Sequence, residues 1–265
     1  MDELVNLRDV GGIATVDGGA VAPGRLLRSD NLQGLTPADV DTLLDLGVTD
    51  VVDLRSDYER AAEGPGPLIR TDVVHHPHSF FREWRDGVGE DKEATAPAAV
   101  DARPETVPDE ALPWVDLEPS VAVDDRVASI YLSYLVDRPD SVVGGLRDIA
   151  AAPGAALVHC AAGKDRTGTL VALALTLVGA EREAVVADYA ASSERTLQIL
   201  DRLIARDTYA ENLRGRPVTS HLSHPETMRA FLAHVDASYG GVEPMLAEIG
   251  WTHEDTARLR AKLLA

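Results

Sequence analysis

The chain has 265 residues, of which 45% are hydrophobic and 26% charged, as in an ordinary globular protein long enough to bury a substantial core. Its net charge of −19, from 25 basic and 44 acidic residues, argues against a nucleic-acid-binding surface and against docking on anionic lipid. The sequence has no apolar run of the roughly 18 residues that a membrane helix needs and no secretory signal, so we expect a cytoplasmic protein.

The first half of the chain predicts strands that alternate with helices. Strands are expected at 26–29, 48–55 and 73–76, and a helix begins at Thr36-Pro37 and ends at Gly47. From about residue 80 to residue 124 the sequence is rich in Pro, Ala and acids and has no sustained period, so we interpret it as an insertion. The alternation favours an α/β fold with a central, partly parallel sheet flanked by helices.

The second half is mainly helical and contains one further strand. The pattern predicts a strand at Ala155–His159 that runs into Cys160, followed by a strongly apolar helix. The sequence shows no repeat and no domain boundary, and we predict one domain over residues 1–265. The helices expected in this half are 127–136, 141–151, 167–178, 181–192, 194–206, 225–239 and 242–249.

The segment that carries chemistry is HCAAGKDRTG, residues 159–168, between the predicted strand and the apolar helix. Cys160 is the only cysteine, which excludes an intramolecular disulfide and zinc sites built on several cysteines. A thiolate nucleophile needs a lowered pKa, which a helix N-terminus beside an arginine provides. Small residues let successive backbone N–H groups close around an anion, and Arg166 can hold two oxygens with its guanidinium. The segment therefore suits thiolate attack on a phosphomonoester.

A nucleotide-binding loop is the rival interpretation of the Gly-Lys pair. That motif requires Gly five residues before the pair, where this chain has Val158. It also requires Ser or Thr directly after Lys, where this chain has Asp165. The sequence therefore does not match the nucleotide-binding loop at either position.

The Cys-x5-Arg spacing with the following Thr167 resembles the protein tyrosine phosphatase superfamily. The fuller string HCxxGKDRTG resembles one branch, the bacterial tyrosine and lipid phosphatases. The resemblance spans most of the chain and is weakest over the 80–124 stretch. Further segments in family order are residues 6–12, 28–30, 53–55 and 239–241.

The resemblance implies a role for each residue of the loop. Cys160 would attack phosphorus and form a phosphocysteine, Arg166 would bind the phosphoryl oxygens, and Thr167 would donate a hydrogen bond to the sulfur. His159 either orders the loop or is a satisfied core histidine. The phosphate-binding amides would be those of Ala161, Ala162, Gly163, Lys164, Asp165 and Arg166.

The general acid has two candidates. In the resembling branch an aspartate inside the loop is a proposed acid, which here is Asp165, and Asp86 in the irregular segment competes with it. We favour Asp165. Lys164 would add charge for a second phosphate or a carboxylate, whereas Arg8 and Arg55 fit structural ion pairs as well as ligand roles.

Three histidines raise the question of a metal. His75, His76 and His78 lie at a strand end without a carboxylate cluster at ligand spacing, and Pro77 interrupts any regular geometry. We therefore predict a phosphatase without metal or other cofactor.

The sequence leaves the substrate open. We expect tyrosine or dual-specificity phosphatase activity, with a small phosphorylated metabolite (a nucleoside, sugar or inositol phosphate) as the alternative substrate. A catalytically dead phosphate-binding module is disfavoured because the cysteine, the arginine and the threonine are all present. Residues 194–224 pair an amphipathic helix with a polar stretch; the resemblance suggests a lid over the active site, and an ordinary surface helix pair is the alternative. The sequence does not indicate an oligomeric state.

Overall fold

The computed structural model describes residues 4–82 and 118–264, which form a five-stranded sheet flanked by helices. The strands are β1 (Arg8–Asp9), β2 (Leu26–Ser29), β3 (Val48–Asp53), β4 (Val74–Pro77) and β5 (Ala155–His159). Their order is β1-β2-β5-β3-β4, and all neighbouring pairs are parallel except β1 with β2. The predicted α/β fold with a partly parallel sheet is confirmed.

Eight of the eleven helices in the described part of the chain correspond to predicted ones. The eleven are α1 (Pro37–Asp45), α2 (Asp57–Glu63), α3 (Arg126–Asp137), α4 (Pro139–Ala151), α5 (Asp165–Leu177), α6 (Arg182–Ala191), α7 (Thr196–Ile204), α8 (Asp207–Leu213), α9 (Pro225–Tyr239), α10 (Val242–Glu248) and α11 (His253–Leu264). Short 3₁₀ turns occupy Pro67–Arg70, Ser192–Arg195 and Val218–His221.

The sheet has a hydrophobic core on each face. Along β5, Ala156 and Val158 join the larger cluster while Ala155 and Leu157 join the smaller one, as the alternation of side chains along a strand requires. The helices of the larger cluster are α3, α4, α5, α6, α9, α10 and α11, and the smaller cluster is covered by α1 and the Pro67–Arg70 turn. Strand β5 is therefore central and buried on both sides, so the residue that follows it, Cys160, starts from a fixed position.

Three helices were absent from the sequence prediction. They are α2, α8 and α11, and two of these open with the reciprocal cap that marks a helix start. Ser56 and Glu59 cap α2, and Thr252 and Asp255 exchange hydrogen bonds of 3.1 Å at the start of α11. The sequence therefore contained recognisable start signals for α2 and α11, although neither helix was predicted.

The predicted insertion at 80–124 lies mostly outside the described residues. Its described ends belong to the main core: Phe80 and Phe81 are buried, and Val121 and Val123 pack against the same cluster. Asp86 also lies outside the described part of the chain. One domain over residues 1–265 stays a prediction.

Candidate active site

Cys160 lies at the carboxyl end of the central strand. It follows β5 directly and precedes α5, and its side chain is buried. Helix α5 begins at Asp165, two residues earlier than the sequence suggested, so Arg166 and Thr167 occupy its first turn. The segment 160–164 is therefore a short loop between a buried strand and a helix N-terminus, where backbone N–H groups have no partner within the helix.

Side chains from distant parts of the sequence bind the carbonyl groups of this loop. The Asn6 amide donates to the carbonyl oxygens of Ala162 and Gly163, both at 3.1 Å. The buried Arg28 donates to the Gly163 carbonyl at 2.9 Å, and the backbone N–H of Asn31 donates to Ala161 at 3.0 Å. The loop carbonyls are thereby held by the residue before β1, by β2 and by the residues that follow β2.

Gly163 permits this close approach. Its φ of +65° is a conformation that side-chain-bearing residues rarely adopt, and a Cβ atom there would lie 2.2 Å from the Ser29 carbonyl oxygen. A larger residue would therefore push the loop away from β2.

The N–H groups of the loop remain available. No hydrogen bond made by residues 4–82 or 118–264 uses the backbone N–H groups of residues 161–166. Because the carbonyls are bound elsewhere, these amides form a nest of donors with the α5 N-terminus behind it. Such an arrangement binds an anion with several oxygens.

Arg166 is held by an internal carboxylate. Its Nη1 and Nη2 atoms lie 2.5 and 3.0 Å from the two oxygens of Glu59, and Nη1 also donates to the Leu54 carbonyl at 3.2 Å. The guanidinium lies 4.6 Å from the centre of the Phe81 ring. Burial alone would lower the pKa of Arg166, but the Glu59 carboxylate raises it well above its ordinary value.

These contacts leave one edge of the guanidinium unused. They engage both hydrogens of Nη1 and one hydrogen of Nη2, out of the five that the group carries. The Nε hydrogen and the second Nη2 hydrogen are left, and both lie on the same edge. That edge can bind two oxygens of a phosphoryl group as a fork.

Glu59 is a site residue that the sequence analysis missed. It occupies the third position of α2, where its Oε2 atom accepts from the Ser56 backbone N–H at 2.7 Å and its own N–H donates to the Ser56 hydroxyl at 3.0 Å. The pattern Ser-x-x-Glu predicts a reciprocal helix cap. It could have located α2, although nothing in it indicates the partner Arg166.

Asp165 is linked to two buried tyrosines. The Tyr131 hydroxyl donates to Asp165 Oδ1 at 2.5 Å and lies 2.8 Å from the Tyr189 hydroxyl. Gly168 allows this packing, because a Cβ there would lie 2.8 Å from the Tyr189 ring. On the other side, the Lys164 ammonium lies 3.6 Å from Asp165 Oδ2. Asp165 therefore faces the pocket with one oxygen fixed.

Thr167 and His159 lie on either side of the loop. The Thr167 hydroxyl is buried and has no hydrogen-bond partner among the described residues, so its predicted bond to the Cys160 sulfur stays a prediction. His159 Nδ1 lies 3.2 Å from the Cys160 carbonyl oxygen, to which it donates because a carbonyl can only accept. Burial lowers the pKa of His159 to about 4, partly opposed by Asp53, so the ring is neutral at pH 7.

Arg8 and Arg55 both form ion pairs. Arg8 donates to Asp188 Oδ1 at 2.8 Å and to the side-chain oxygen of Asn6 at 2.7 Å, which orients the Asn6 amide toward the loop. Asp188 also pairs with Arg28. Arg55 binds Asp53 through several hydrogen bonds of 2.6–3.1 Å. Neither arginine lines the pocket that contains Cys160.

The predicted lid segment, residues 194–224 (hereafter the covering segment), lies over the loop. Helix α7, helix α8 and the Val218–His221 turn belong to it, and apolar side chains of α7 and α8 pack against Ala161 and Ala162. Together with the loop they enclose a pocket of about 550 Å³, counting the space open to solvent. Its lining residues are Cys160, Ala161, Ala162, Lys164, Asp165, Arg166, Thr196, Ile199, Leu200, Leu203, Leu213 and His221.

Two of the three histidines near the sheet edge, His76 and His78, pair with carboxylates. His76 Nε2 lies 2.8 Å from Asp50, and His78 Nε2 lies 2.6 Å from Asp148. Within residues 4–82 and 118–264, no group of three or more His, Cys, Asp or Glu side chains is arranged to hold a metal ion. In the same ranges no helix combines the length and the apolar character needed to cross a membrane.

A buried cysteine after the central parallel strand, a loop of free amides and an arginine aimed at the same pocket define a cysteine-dependent phosphatase. The comparisons agree with this class. A family model described as the tyrosine phosphatase family matches residues 1–265. The chain belongs to the tyrosine phosphatase family.

Three relatives are similar over most of their length. The Triple specificity protein phosphatase PtpB of Mycobacterium tuberculosis is 32% identical over 98% of this chain and 96% of its own. A putative tyrosine-protein phosphatase of Cupriavidus necator is 28% identical over 100% and 87%, and a tyrosine-protein phosphatase of Nostoc commune is 26% identical over 92% and 76%. The phosphatase resemblance drawn from the loop motif is confirmed.

Proposed function

We propose that this phosphatase hydrolyses phosphotyrosine, and other phosphorylated residues of proteins, through a phosphocysteine formed on Cys160. The observation that carries the proposal is the loop itself. Its carbonyl groups are bound by Asn6, Arg28 and Asn31, so its amides and the free edge of Arg166 converge on the pocket beside the sulfur. A tetrahedral phosphoryl group supplies the oxygens that this set of donors needs.

The first step transfers the phosphoryl group to the enzyme. The Cys160 sulfur attacks phosphorus, a sulfur–phosphorus bond forms, and the bond from phosphorus to the ester oxygen breaks. The amides of residues 161–166 and the Arg166 fork stabilise the charge on the three equatorial oxygens. Asp165 gives its proton to the departing oxygen, and Asp86 remains the competing candidate for that role.

The second step releases phosphate. Water attacks phosphorus, the sulfur–phosphorus bond breaks, and Asp165 accepts the proton of the attacking water. The buried Thr167 hydroxyl, which has no other partner in the described residues, would donate to the sulfur as it departs as thiolate. Lys164 keeps the pocket positive within a strongly acidic chain.

The relatives favour protein substrates over the small phosphorylated metabolite. Their names state tyrosine-protein phosphatase activity in two cases and triple specificity in the third. The pocket agrees with that assignment, since Ile199, Leu200, Leu203 and Leu213 form an apolar wall suited to an aromatic ring. We further propose that the covering segment acts as a lid. A cytoplasmic location stays a prediction.

A substrate panel tests the proposal. The wild-type enzyme should hydrolyse phenyl phosphate and phosphotyrosyl peptides, with phosphoseryl peptides, phosphoinositides and sugar phosphates as comparisons. The Cys160→Ser variant should lose turnover by roughly 10⁴-fold or more while it still binds the peptide. Vanadate should inhibit reversibly, and EDTA should have no effect. Turnover by Cys160→Ser, or loss of activity in EDTA that a divalent metal restores, would refute the mechanism.

A further inference from the structure

One buried nitrogen in the pocket has no assigned role. His221 belongs to the Val218–His221 turn of the covering segment, and its side chain lines the same pocket as Cys160. The residue is only 8% exposed, and its Nε2 atom is buried without a hydrogen-bond partner among the described residues. Of all the described side chains that line the pocket, His221 has the only buried nitrogen or oxygen in this condition.

An unpaired buried nitrogen of this kind needs an explanation, because folding removes its water without replacing the hydrogen bond. The other polar side chain that the covering segment places in the pocket is already paired: the Thr196 hydroxyl donates to the Ser192 carbonyl at 3.4 Å. The remaining wall of the segment is aliphatic. Among the side chains of this wall, His221 is therefore the one with a buried polar atom that has no partner in the described residues.

The backbone at His221 and just after it is tied to residues outside the turn. The Lys164 ammonium donates to the His221 carbonyl at 2.7 Å, which joins the turn to the phosphate-binding loop. Two residues later, the Ser223 N–H donates to the Ser193 hydroxyl at 2.8 Å, and that hydroxyl donates to the Ser223 carbonyl at 3.1 Å. His221 is thus held beside Lys164, among the residues that line the pocket.

The charge state of the ring restricts what it can bind. Burial lowers the pKa of His221, and the neighbouring Lys164 lowers it further, with Asp165 opposing. A neutral imidazole offers one donor and one acceptor, and the tautomer decides which of them Nε2 supplies. A peptide bond provides both an N–H and a C=O, so it can pair with either tautomer.

We propose that His221 is a specificity residue that hydrogen-bonds a main-chain amide of a phosphopeptide, next to the phosphorylated side chain. The inference rests on the proposed function and names the substrate class that the pocket prefers. The aliphatic wall packs against the aromatic ring, the loop binds the phosphoryl group, and His221 contacts the amide that only a peptide substrate carries. Phenyl phosphate has no group that could reach it.

The test compares two small esters that differ in this amide. N-acetyl-O-phosphotyrosine amide carries one peptide bond on each side of the phosphorylated residue, whereas phenyl phosphate carries none. For the wild type, for His221→Ala and for His221→Gln, the KM of each ester is measured, and the ratio of the two values is compared. The alanine variant keeps the backbone carbonyl that binds Lys164, so only the ring is removed.

We expect His221→Ala to raise the KM of the amide ester about 3- to 10-fold more than the KM of phenyl phosphate, the usual effect of one lost hydrogen bond. His221→Gln, which keeps a donor and an acceptor, should restore the ratio. The exposed His224 is the matched control, and His224→Gln should leave the ratio unchanged. An equal change for both esters, or none, would overturn the inference, as would a selective effect that appears only with sugar or inositol phosphates.

Failure of the proposed function would look different. If the wild type hydrolysed neither ester, or if Cys160→Ser retained turnover, the phosphatase mechanism itself would fall. If turnover depended on Cys160 but the KM ratio did not depend on His221, only the role of His221 would be lost.

Discussion

Helix α2 carries two glutamates one turn apart, and each pairs with an arginine from a different part of the active site. Glu59 binds Arg166 at the start of α5, and both side chains are almost completely buried. Glu63 binds Arg206, at the start of α8 in the covering segment, whose side chain remains 28% exposed. One helix therefore holds both the chemical centre and the wall above it.

The two ion pairs differ in burial, and we expect them to differ in their contribution to stability. A buried pair leaves an uncompensated charge when one partner is removed, whereas a partly exposed pair is screened by water. The loop side is also fixed by hydrogen bonds from the Asn6 amide and the Arg28 guanidinium, while the covering segment contacts the loop mainly through aliphatic side chains. We infer that the loop is the rigid half of the site and the covering segment the adjustable half, and each prediction below tests that division.

The largest effect is expected from Arg166→Lys. An ammonium group cannot reproduce a fork that binds Glu59 with one edge and the substrate with the other. We expect kcat/KM to fall by roughly 10³- to 10⁵-fold, the range found when an arginine that stabilises phosphoryl transfer is lost. Steady-state kinetics on phenyl phosphate measure it, with the exposed Arg258→Lys as control. Activity within about tenfold of wild type would show that charge alone suffices.

Asp165→Asn should have the next largest effect. We expect turnover of esters with poor leaving groups to fall by roughly 10²- to 10⁴-fold, with little change for activated esters, because only the former need an acid. The asparagine can still accept the hydrogen bond from Tyr131, so the geometry is kept. If Asp86→Asn shows this selectivity and Asp165→Asn does not, the acid is Asp86.

Glu59→Gln tests the buried pair directly. Glutamine preserves the helix cap with Ser56, so the substitution removes charge while it keeps the capping geometry. We expect kcat to fall by roughly 10- to 100-fold through misplacement of Arg166, with a smaller change in KM. Glu59→Ala should in addition lower the free energy of unfolding by about 3–5 kcal/mol. An unchanged kcat for Glu59→Gln would show that Arg166 does not depend on Glu59 for its position.

His159 makes the rigid half sensitive to acid. The unfolded chain binds a proton on this ring near pH 6.5, but in the folded protein its pKa is about 4, so between these values the unfolded state holds more protons and stability rises with pH. The free energy of unfolding should therefore fall by roughly 2–3 kcal/mol from pH 7 to pH 4.5 on account of this group.

Urea unfolding across this range measures the effect. His159→Gln should flatten the dependence, because glutamine does not titrate and can still donate to the Cys160 carbonyl. His253, whose side chain is 99% exposed, is the control, and His253→Gln should retain the full slope. An identical slope in His159→Gln would place the acid sensitivity elsewhere.

The two halves of the site also differ in how far the sequence predicts them. Strands β2 and β5 and helix α9 have the predicted bounds. Strand β5 is a short apolar run that is buried on both faces, and α9 begins at a proline and ends before a glycine. The loop from Cys160 to Arg166 was predicted residue by residue, since its chemistry depends on local spacing. Glu59, Asn6 and Arg28 were not assigned roles, because their contacts with the loop span more than 100 residues and only the folded chain brings them together.

The covering segment was predicted less completely than the loop. Its amphipathic first helix was predicted, but α8 was not, and the turn that carries His221 was assigned to a polar stretch. These elements are too short to show a repeating pattern of apolar residues. Their positions depend on contacts with Lys164, Ser193 and the loop. Sequence patterns thus predicted the loop that carries Cys160 and Arg166 better than the turn that carries the proposed specificity residue.

The smallest effect is expected at the second glutamate of α2. Because the Arg206–Glu63 pair is partly exposed, Arg206→Gln should cost no more than about 1 kcal/mol of stability. If the covering segment is destabilised in its binding position by the same amount, the KM of phosphotyrosyl peptides should rise by up to about fivefold. The kcat should stay within about twofold, since neither residue lines the pocket. A double-mutant cycle with Glu63→Gln isolates the pair, and Arg229→Gln, which breaks an exposed pair with Glu183, is the control. A fall in kcat as large as that of Glu59→Gln would contradict the division into a rigid and an adjustable half, because it would show that the covering segment positions the reacting groups as firmly as the loop does.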